Sequence, residues 1–189
     1  MTGPSFRNHH AAVSGKVLPP SQTLLEGLKH FTAPAAAIDL GCGAGTDALH
    51  LASQGWKVLA IDADQSVLES IEADAVITQC QRFESLVLPP VQLVNASFAL
   101  PFCNSAHFSS CWLTICEALT PNGLFCGHFF GIRDSWATRA DMTIHTVEQL
   151  KHLFAGFELL WQTETEKDGR TLGGAAKHWH VHHIVARKC

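Results

Sequence analysis

An α/β fold, with an open and mostly parallel seven-stranded sheet, helices on both faces and a C-terminal antiparallel hairpin, is predicted by three stretches of the chain. In residues 35–52 a short apolar run, Ile38 to Leu40, meets a loop containing Gly41, Gly43 and Gly45, and then Ala48, Leu49, Leu51 and Ala52 at helical spacing. Lys57-Val-Leu-Ala-Ile-Asp62 reads as the next strand, ending in an acid about 20 residues after the glycine loop, as in a β-α-β unit. Near the end, Phe157-Glu-Leu-Leu-Trp161 and residues 178–186 are strand-like and are joined by a polar stretch, residues 163–177, which makes a closing hairpin.

The other elements follow in order. Pro19-Pro20 separates a leading segment, residues 1–20, from a short helix that Ser21 can cap, with Leu24, Leu25, Leu28 and Phe31 along one face. Gln54-Gly55 stops the glycine-loop helix, and Asp64 opens another with Val67, Leu68 and Ile71 as its buried stripe. Residues 75–80 form a third strand, and residues 91–98 a fourth. Asn104 or Ser105 caps a helix in which Phe108, Trp112, Ile115 and Leu119 recur at core spacing. Thr120-Pro-Asn-Gly123 is expected to turn the chain into a fifth strand, residues 124–130. Thr146-Val-Glu-Gln149 is a capping box, opening a helix through Leu150, Leu153 and Phe154 that Gly156 ends.

A chain of 189 residues is long enough for one domain and short for two, so residues 1–189 are expected to form a single unit. A hydrophobic fraction of 47% and a charged fraction of 16% suit a compact globule, and no apolar stretch approaches bilayer-spanning length. The N-terminus lacks the apolar region of a signal peptide, which makes the cytoplasm the expected location. Seven cysteines without a C-x-x-C pair read as reduced thiols. A net charge of −4 argues against nucleic acid and for a small-molecule substrate, and leaves the oligomeric state open.

A glycine loop at a helix N-terminus presents free N–H groups and normally draws anions. Asp39, two residues before Gly41, repels a pyrophosphate and favours an ammonium or sulfonium, so the guest should carry positive charge beside a carboxylate of its own. S-adenosylmethionine has both. Asp62 can accept hydrogen bonds from both ribose hydroxyls.

Ile38-Asp-Leu-Gly-Cys-Gly-Ala-Gly45, followed by Val58-Leu-Ala-Ile-Asp62, resembles the class I S-adenosylmethionine-dependent methyltransferases, as does Ala118-Leu-Thr-Pro-Asn-Gly-Leu-Phe125. The resemblance implies their Rossmann-like fold and a final strand inserted antiparallel between its two predecessors. It implies S-adenosyl-L-methionine as cofactor, held by Asp39, Gly41, Cys42, Gly43 and Gly45, and by Asp62 with Ala63. Arg82 and Phe83 fall where the family surrounds the adenine. Arginine departs from the usual acid and cannot accept the exocyclic N–H, which leaves backbone groups and stacking to read the base. Asn95, Ala96 and Ser97, with Leu100 beyond them, are implied to face the transferable methyl, and residues 1–20 to act as a lid. The Asn/Asp-Pro-Pro-aromatic signature of amide and exocyclic-nitrogen methylation is absent. Trp179-His-Val181 resembles the small methyltransferases associated with tellurite resistance.

The irregular stretch after the fifth strand, residues 131–142, leaves the sheet on the glycine-loop edge, and Arg133, Asp134 and Trp136 are expected to bind substrate there. An Arg-Asp surface pair over a core-filling tryptophan is the competing reading. If the acceptor must lose a proton, His128 or His145 is the candidate base. His178, His180 and His182 alternate on one strand about 7 Å apart. That is too far for one zinc, so no metal is expected, and hydrogen bonds to the loop after the fifth strand are the better use for them. A nucleotide-cofactor oxidoreductase and a noncatalytic S-adenosylmethionine-binding module are the rival functions; Asp39 and the G-x-G-x-G spacing oppose the first.

Overall fold

The structure, a computed structural model, describes residues 18–171 and 173–189. The expected lid, residues 1–20, therefore lies outside the described residues apart from Leu18, Pro19 and Pro20. Helix α1 (Gln22–Leu28) is capped by Ser21, whose Oγ accepts from Leu24 N, and it leads to strand β1 (Ala36–Leu40). Helix α2 (Thr46–Ser53) starts at Gly45, which has a φ of 79° and contributes no side-chain cap, so the first N–H groups of the helix stay free of one. Strand β2 (Lys57–Asp62), helix α3 (Gln65–Leu68) with its Asp64 cap, strand β3 (Val76–Cys80) and strand β4 (Val91–Ala96) follow. Asn104 caps helix α4 (Ser105–Ala118). After strand β5 (Leu119–Gly131) and the two-residue strand β6 (Ile144–His145), the Thr146–Gln149 capping box opens helix α5 (Val147–Leu153). Strands β7 (Phe157–Arg170) and β8 (Ala176–Lys188) close the chain.

The strands form one sheet in the order β3-β2-β1-β4-β5-β8-β7, with β6 paired to β5. Pairing is parallel from β3 through β6, whereas β8 runs antiparallel between β5 and β7, as the resemblance implied. β6 makes eight strands rather than the expected seven. The strand order reverses between β1 and β4, and such a reversal opens a crevice at the carboxyl ends of the strands.

Alternation along the strands assigns the two faces. Ala37, Val58, Ala60, Leu93, Leu124 and Cys126 meet Leu24 of α1, Ala48 and Leu51 of α2 and Val67 of α3. Their sequence neighbours Ile38, Ile61, Val94 and Phe125 turn to the opposite face, against Phe108, Trp112 and Ile115 of α4 and Leu150 of α5.

Two expectations are corrected. Thr120 to Gly123 do not form a separate turn; they lie within β5, where the register with β4 shifts between Val91 and Leu93 and Asn122 takes a φ of 63°. A residue tolerant of the left-handed region lets the strand bulge and continue pairing. The polar stretch between the last strands is itself strand: β7 and β8 stay paired out to Arg170 and Ala176. Cross-strand partners replace apolar cover there, with Asp168 opposite His178 and their side chains 2.7 Å apart.

Candidate active site

The glycine loop leaves β1 at the strand-order reversal and is held from beneath by the end of β2. Gly41 N and Cys42 N both donate to Ile61 O, at 2.7 and 3.0 Å. Asp62 takes the next turn: its Oδ2 accepts from Gly43 N at 2.9 Å and its Oδ1 from Asp64 N at 2.9 Å. Gly41 has a φ of 69°, and a Cβ there would stand 2.5 Å from Ala99 Cβ, so only glycine fits.

Behind the loop lies a buried acid pair. One amide group, Asn95 Nδ2, donates to Asp39 Oδ1 at 2.8 Å and to Asp47 Oδ2 at 2.9 Å. Asp47 Oδ1 accepts from Ser21 N at 2.8 Å, tying α1 to α2. Asp39 is 2% exposed, and its Oδ2 has no hydrogen-bond partner. Burial first, then the Asp47 charge, pushes the Asp39 carboxyl up to about 8. A buried carboxyl oxygen with an open valence is a ready partner for a cation.

A cavity of about 1450 Å³ opens from this loop across the carboxyl ends of β1, β4 and β5. Its far wall is aromatic: Phe98, Phe102, Phe130, Trp136 and Trp179 line it, with Arg139, Asp141 and Arg170 at the margin. Phe98 takes a φ of 51°, its N–H donating to His128 Nδ1 at 3.2 Å. Behind the wall is a cage in which the buried Lys177 ammonium pairs with Asp134 and lies 4.0 Å from the Trp136 ring centroid, 4.4 Å from Trp179 and 4.8 Å from Phe130.

Residues 37–123, the span from β1 into β5, match a family described as "Methyltransferase domain". Among solved structures, TehB from Haemophilus influenzae is similar at a TM-score of 0.78 and 14% identity, over 96% of this chain and 67% of that one. The 1,6-didemethyltoxoflavin-N1-methyltransferase of Burkholderia thailandensis, solved with 1,6-didemethyltoxoflavin and S-adenosylhomocysteine, aligns at 0.71 and 19% identity over 97% and 84% of the two chains. The N-methyltransferase NodS from Bradyrhizobium japonicum WM9 gives 0.70 and 11% over 97% and 96%. No curated protein matches the chain by sequence. Residues 37–123 thus carry the match to a methyltransferase domain, and the chain as a whole has the fold of class I S-adenosylmethionine-dependent methyltransferases.

Of the cofactor residues expected from the sequence, the fold brings Asp39, Gly41, Cys42, Gly43, Asp62, Ala63, Arg82, Phe83 and Ser97 to the cavity. Three others are elsewhere. Gly45 packs on Ile71, whose Cδ1 would lie 2.7 Å from a Cβ, so this glycine serves helix packing. Asn95 and Ala96 are both 0% exposed and do not line the cavity; Asn95 acts through Asp39 and Asp47. Both precede the point at which the chain leaves the sheet, Ala96 being the last residue of β4.

The expected substrate residues divide in the same way. Trp136 lines the cavity, whereas Arg133 turns to Glu164 and Glu166 on β7, at 2.7 and 2.8 Å. Asp134 is buried as the partner of Lys177 and also accepts from Trp136 N and His180 N. Neither His128 nor His145 reaches the cavity. Burial, and next His183, holds His128 down to about 3; burial, and next His182, holds His145 to about 4. Both imidazoles are enclosed, and His128 Nδ1 is engaged by the Phe98 N–H.

The histidine-rich strand behaves as expected in one respect and not in another. His180 Nδ1 accepts from Arg133 N at 3.0 Å, reaching the loop after β5. The rings of His180 and His182, however, lean together to 4.9 Å between centroids, and with Glu164 their ligand atoms lie within 4.8 Å of one another. Arg133 Nη2 sits 2.7 Å from Glu164 Oε1 and 3.0 Å from His180 Nε2, so a guanidinium already supplies the positive charge there.

Sequence reasoning missed Phe98, Phe102, Phe130, Trp179, Arg139 and Arg170 as cavity residues. Their apolar or charged character looks like ordinary core or surface; only the meeting of β4, β5 and the hairpin at one edge collects them.

No helix among the described residues is long and apolar enough to cross a membrane.

Proposed function

We propose that the protein is a methyltransferase that transfers the methyl of S-adenosylmethionine to a small-molecule acceptor lying against the aromatic wall. The observation that carries this reading is one continuous cavity with the unpartnered Asp39 oxygen at its glycine-loop end and ring faces at the other. The residues present suit the cofactor: Asp39 offers a negative partner to its cationic groups, Gly41 leaves room for close backbone approach, and Asp62 keeps lone pairs for ribose hydroxyls. Ala63, Arg82 and Phe83 border the adenine side, and Cys42, Gly43 and Ser97 complete the cofactor's surroundings. Bound S-adenosylmethionine supplies an electrophilic methyl on a sulfonium.

Among the described residues no histidine lines the cavity, and Asp141, the acid on the acceptor side, is held by Arg139 below the usual carboxylate range. This lining suits an acceptor that brings a nucleophile needing no strong base, such as a thiolate, a carboxylate, an oxyanion or a ring nitrogen with a free pair. Holding it in line with the methyl supplies roughly 7–11 kcal/mol of the barrier. The similar Burkholderia thailandensis structure, solved with a small heterocycle, supports a small acceptor.

Calorimetric titration with S-adenosylmethionine, S-adenosylhomocysteine and NAD tests the cofactor, and a small-molecule turnover screen detecting S-adenosylhomocysteine tests the reaction. Binding of both sulfur nucleosides and turnover with a small acceptor are expected. Tight NAD binding with neither nucleoside bound overturns the reading, and nucleoside binding without any turnover reduces the protein to a binding module.

A further inference from the structure

The acceptor half of the cavity has a composition that selects among small molecules. Phe98, Phe102, Phe130, Trp136 and Trp179 form one connected set, with centroid separations of 6.4 Å for Phe98–Phe130 and Phe102–Phe130, 6.1 Å for Trp136–Trp179 and 5.9 Å for Phe130–Trp179. Tilted and edge contacts among Phe98, Phe130 and Trp179 turn ring surface toward the cavity, against which a further flat ring can lie. Phe98 is 41% exposed despite its size, a surface that a bound ring would cover.

Three of these rings already carry cations away from the cavity or at its margin. Lys177 already lies over Trp136, Trp179 and Phe130, and the Arg139 guanidinium carbon is 5.3 Å from the Trp136 centroid. Both cations carry their own carboxylate, Asp134 and Asp141. Arg170 does not. It lines the cavity from the end of β7, its side chain donates to the Gly174 carbonyl at 2.7 Å, and among the described residues no carboxylate pairs with it. Residues 1–17 contain neither Asp nor Glu that could do so. Apart from Asp141, held by Arg139, and Glu84, beside Arg82, acids of the cavity such as Asp39, Asp47 and Asp62 lie at the glycine loop. Among the described residues the cavity is therefore acidic at one end and carries the unpaired Arg170 charge at the other.

Resting on the methyl-transfer reading, we infer that the acceptor is a flat aromatic or heteroaromatic anion, its ring against the Phe98–Trp179 wall and its charge met by Arg170. Arginine suits a carboxylate or similar oxyanion because its planar fork can donate two parallel hydrogen bonds. An aromatic ammonium meets a like charge at Arg170, and a saturated carboxylate forfeits the ring contacts.

The test titrates the protein, saturated with S-adenosylhomocysteine, with naphthoate, naphthylmethylammonium and cyclohexanecarboxylate by calorimetry. Naphthoate is expected to bind about tenfold more tightly than either of the others. Arg170→Gln, an exposed position, should weaken naphthoate about tenfold while leaving neutral naphthylmethanol unchanged. Arg187→Gln, which breaks the pair with Glu158 away from the cavity, should alter neither. Equal binding of naphthoate and cyclohexanecarboxylate overturns the ring claim, and equal binding of naphthoate and naphthylmethylammonium, or no effect of Arg170→Gln, overturns the charge claim. A protein that binds S-adenosylhomocysteine and fails these comparisons defeats this inference alone; one that does not bind S-adenosylhomocysteine defeats the cofactor reading and this inference with it.

Discussion

Phe98 stacks on His128 at 4.1 Å between ring centroids, while its own N–H donates to His128 Nδ1. One buried imidazole thus holds both the ring and the backbone of a residue in the left-handed region, which a phenylalanine enters only under constraint. His128→Phe keeps a stacking surface and removes the acceptor. A stability loss of about 1–3 kcal/mol in urea denaturation is expected, with turnover falling as Phe98 leaves the cavity wall.

Acid sensitivity follows from the same histidine and from His145. Both are held well below the ordinary imidazole value, to about 3 and about 4, so the unfolded chain takes up protons that the folded chain refuses. Their contribution is complete above about pH 6.5 and is lost as pH falls toward their folded values, at up to about 1.4 kcal/mol per pH unit for each group. Urea midpoints measured from neutral to mildly acid pH should drop, and His128→Phe should drop less steeply than the unmodified chain.

Asp39 has the opposite sign. Its raised value means that its contribution to stability is present at low pH and is lost as pH rises through about 8. A bound cation favours the ionised form, so affinity for S-adenosylmethionine should increase over the same rise. Asp39→Asn is expected to weaken S-adenosylmethionine by about 1–3 kcal/mol in calorimetry, flatten that pH dependence and leave the free protein more stable in alkali.

Asp62 supports the loop as well as bordering the cavity. Asp62→Ala frees Gly43 N and Asp64 N together, so cofactor affinity and melting temperature should fall in parallel. Asp62→Asn retains one acceptor and should lose less of both. Unchanged affinity in the alanine variant would place the ribose elsewhere.

The Lys177–Asp134 pair is wholly buried. Lys177→Met strands the carboxylate and should destabilise by about 3–5 kcal/mol, whereas Lys177→Met combined with Asp134→Asn should recover much of that. A double variant no better than the single one would show that the ammonium matters for the rings it separates rather than for its charge.

Nearest neighbours in the chain carried much of this protein's reading. Gly41, Asp39 and Asp62 could be placed from spacing alone because a strand, a bare-backbone loop and a helix start obey local rules, and Ser21, Asp64, Asn104 and Thr146 cap their helices through hydrogen bonds spanning two or three residues. The direction in which a side chain points at an element's end was beyond such rules. Asn95 lies one step short of the strand exit and is sealed in, while Phe98, three residues on, faces the cavity because of a histidine thirty positions away. Arg133 turned to glutamates on a hairpin that looked like loop, and Trp179 reached the cavity only through the antiparallel insertion of β8 beside β5. Contacts of that range depend on which strands become neighbours, and pairing between distant segments is decided by burial of the whole sheet rather than by any local pattern.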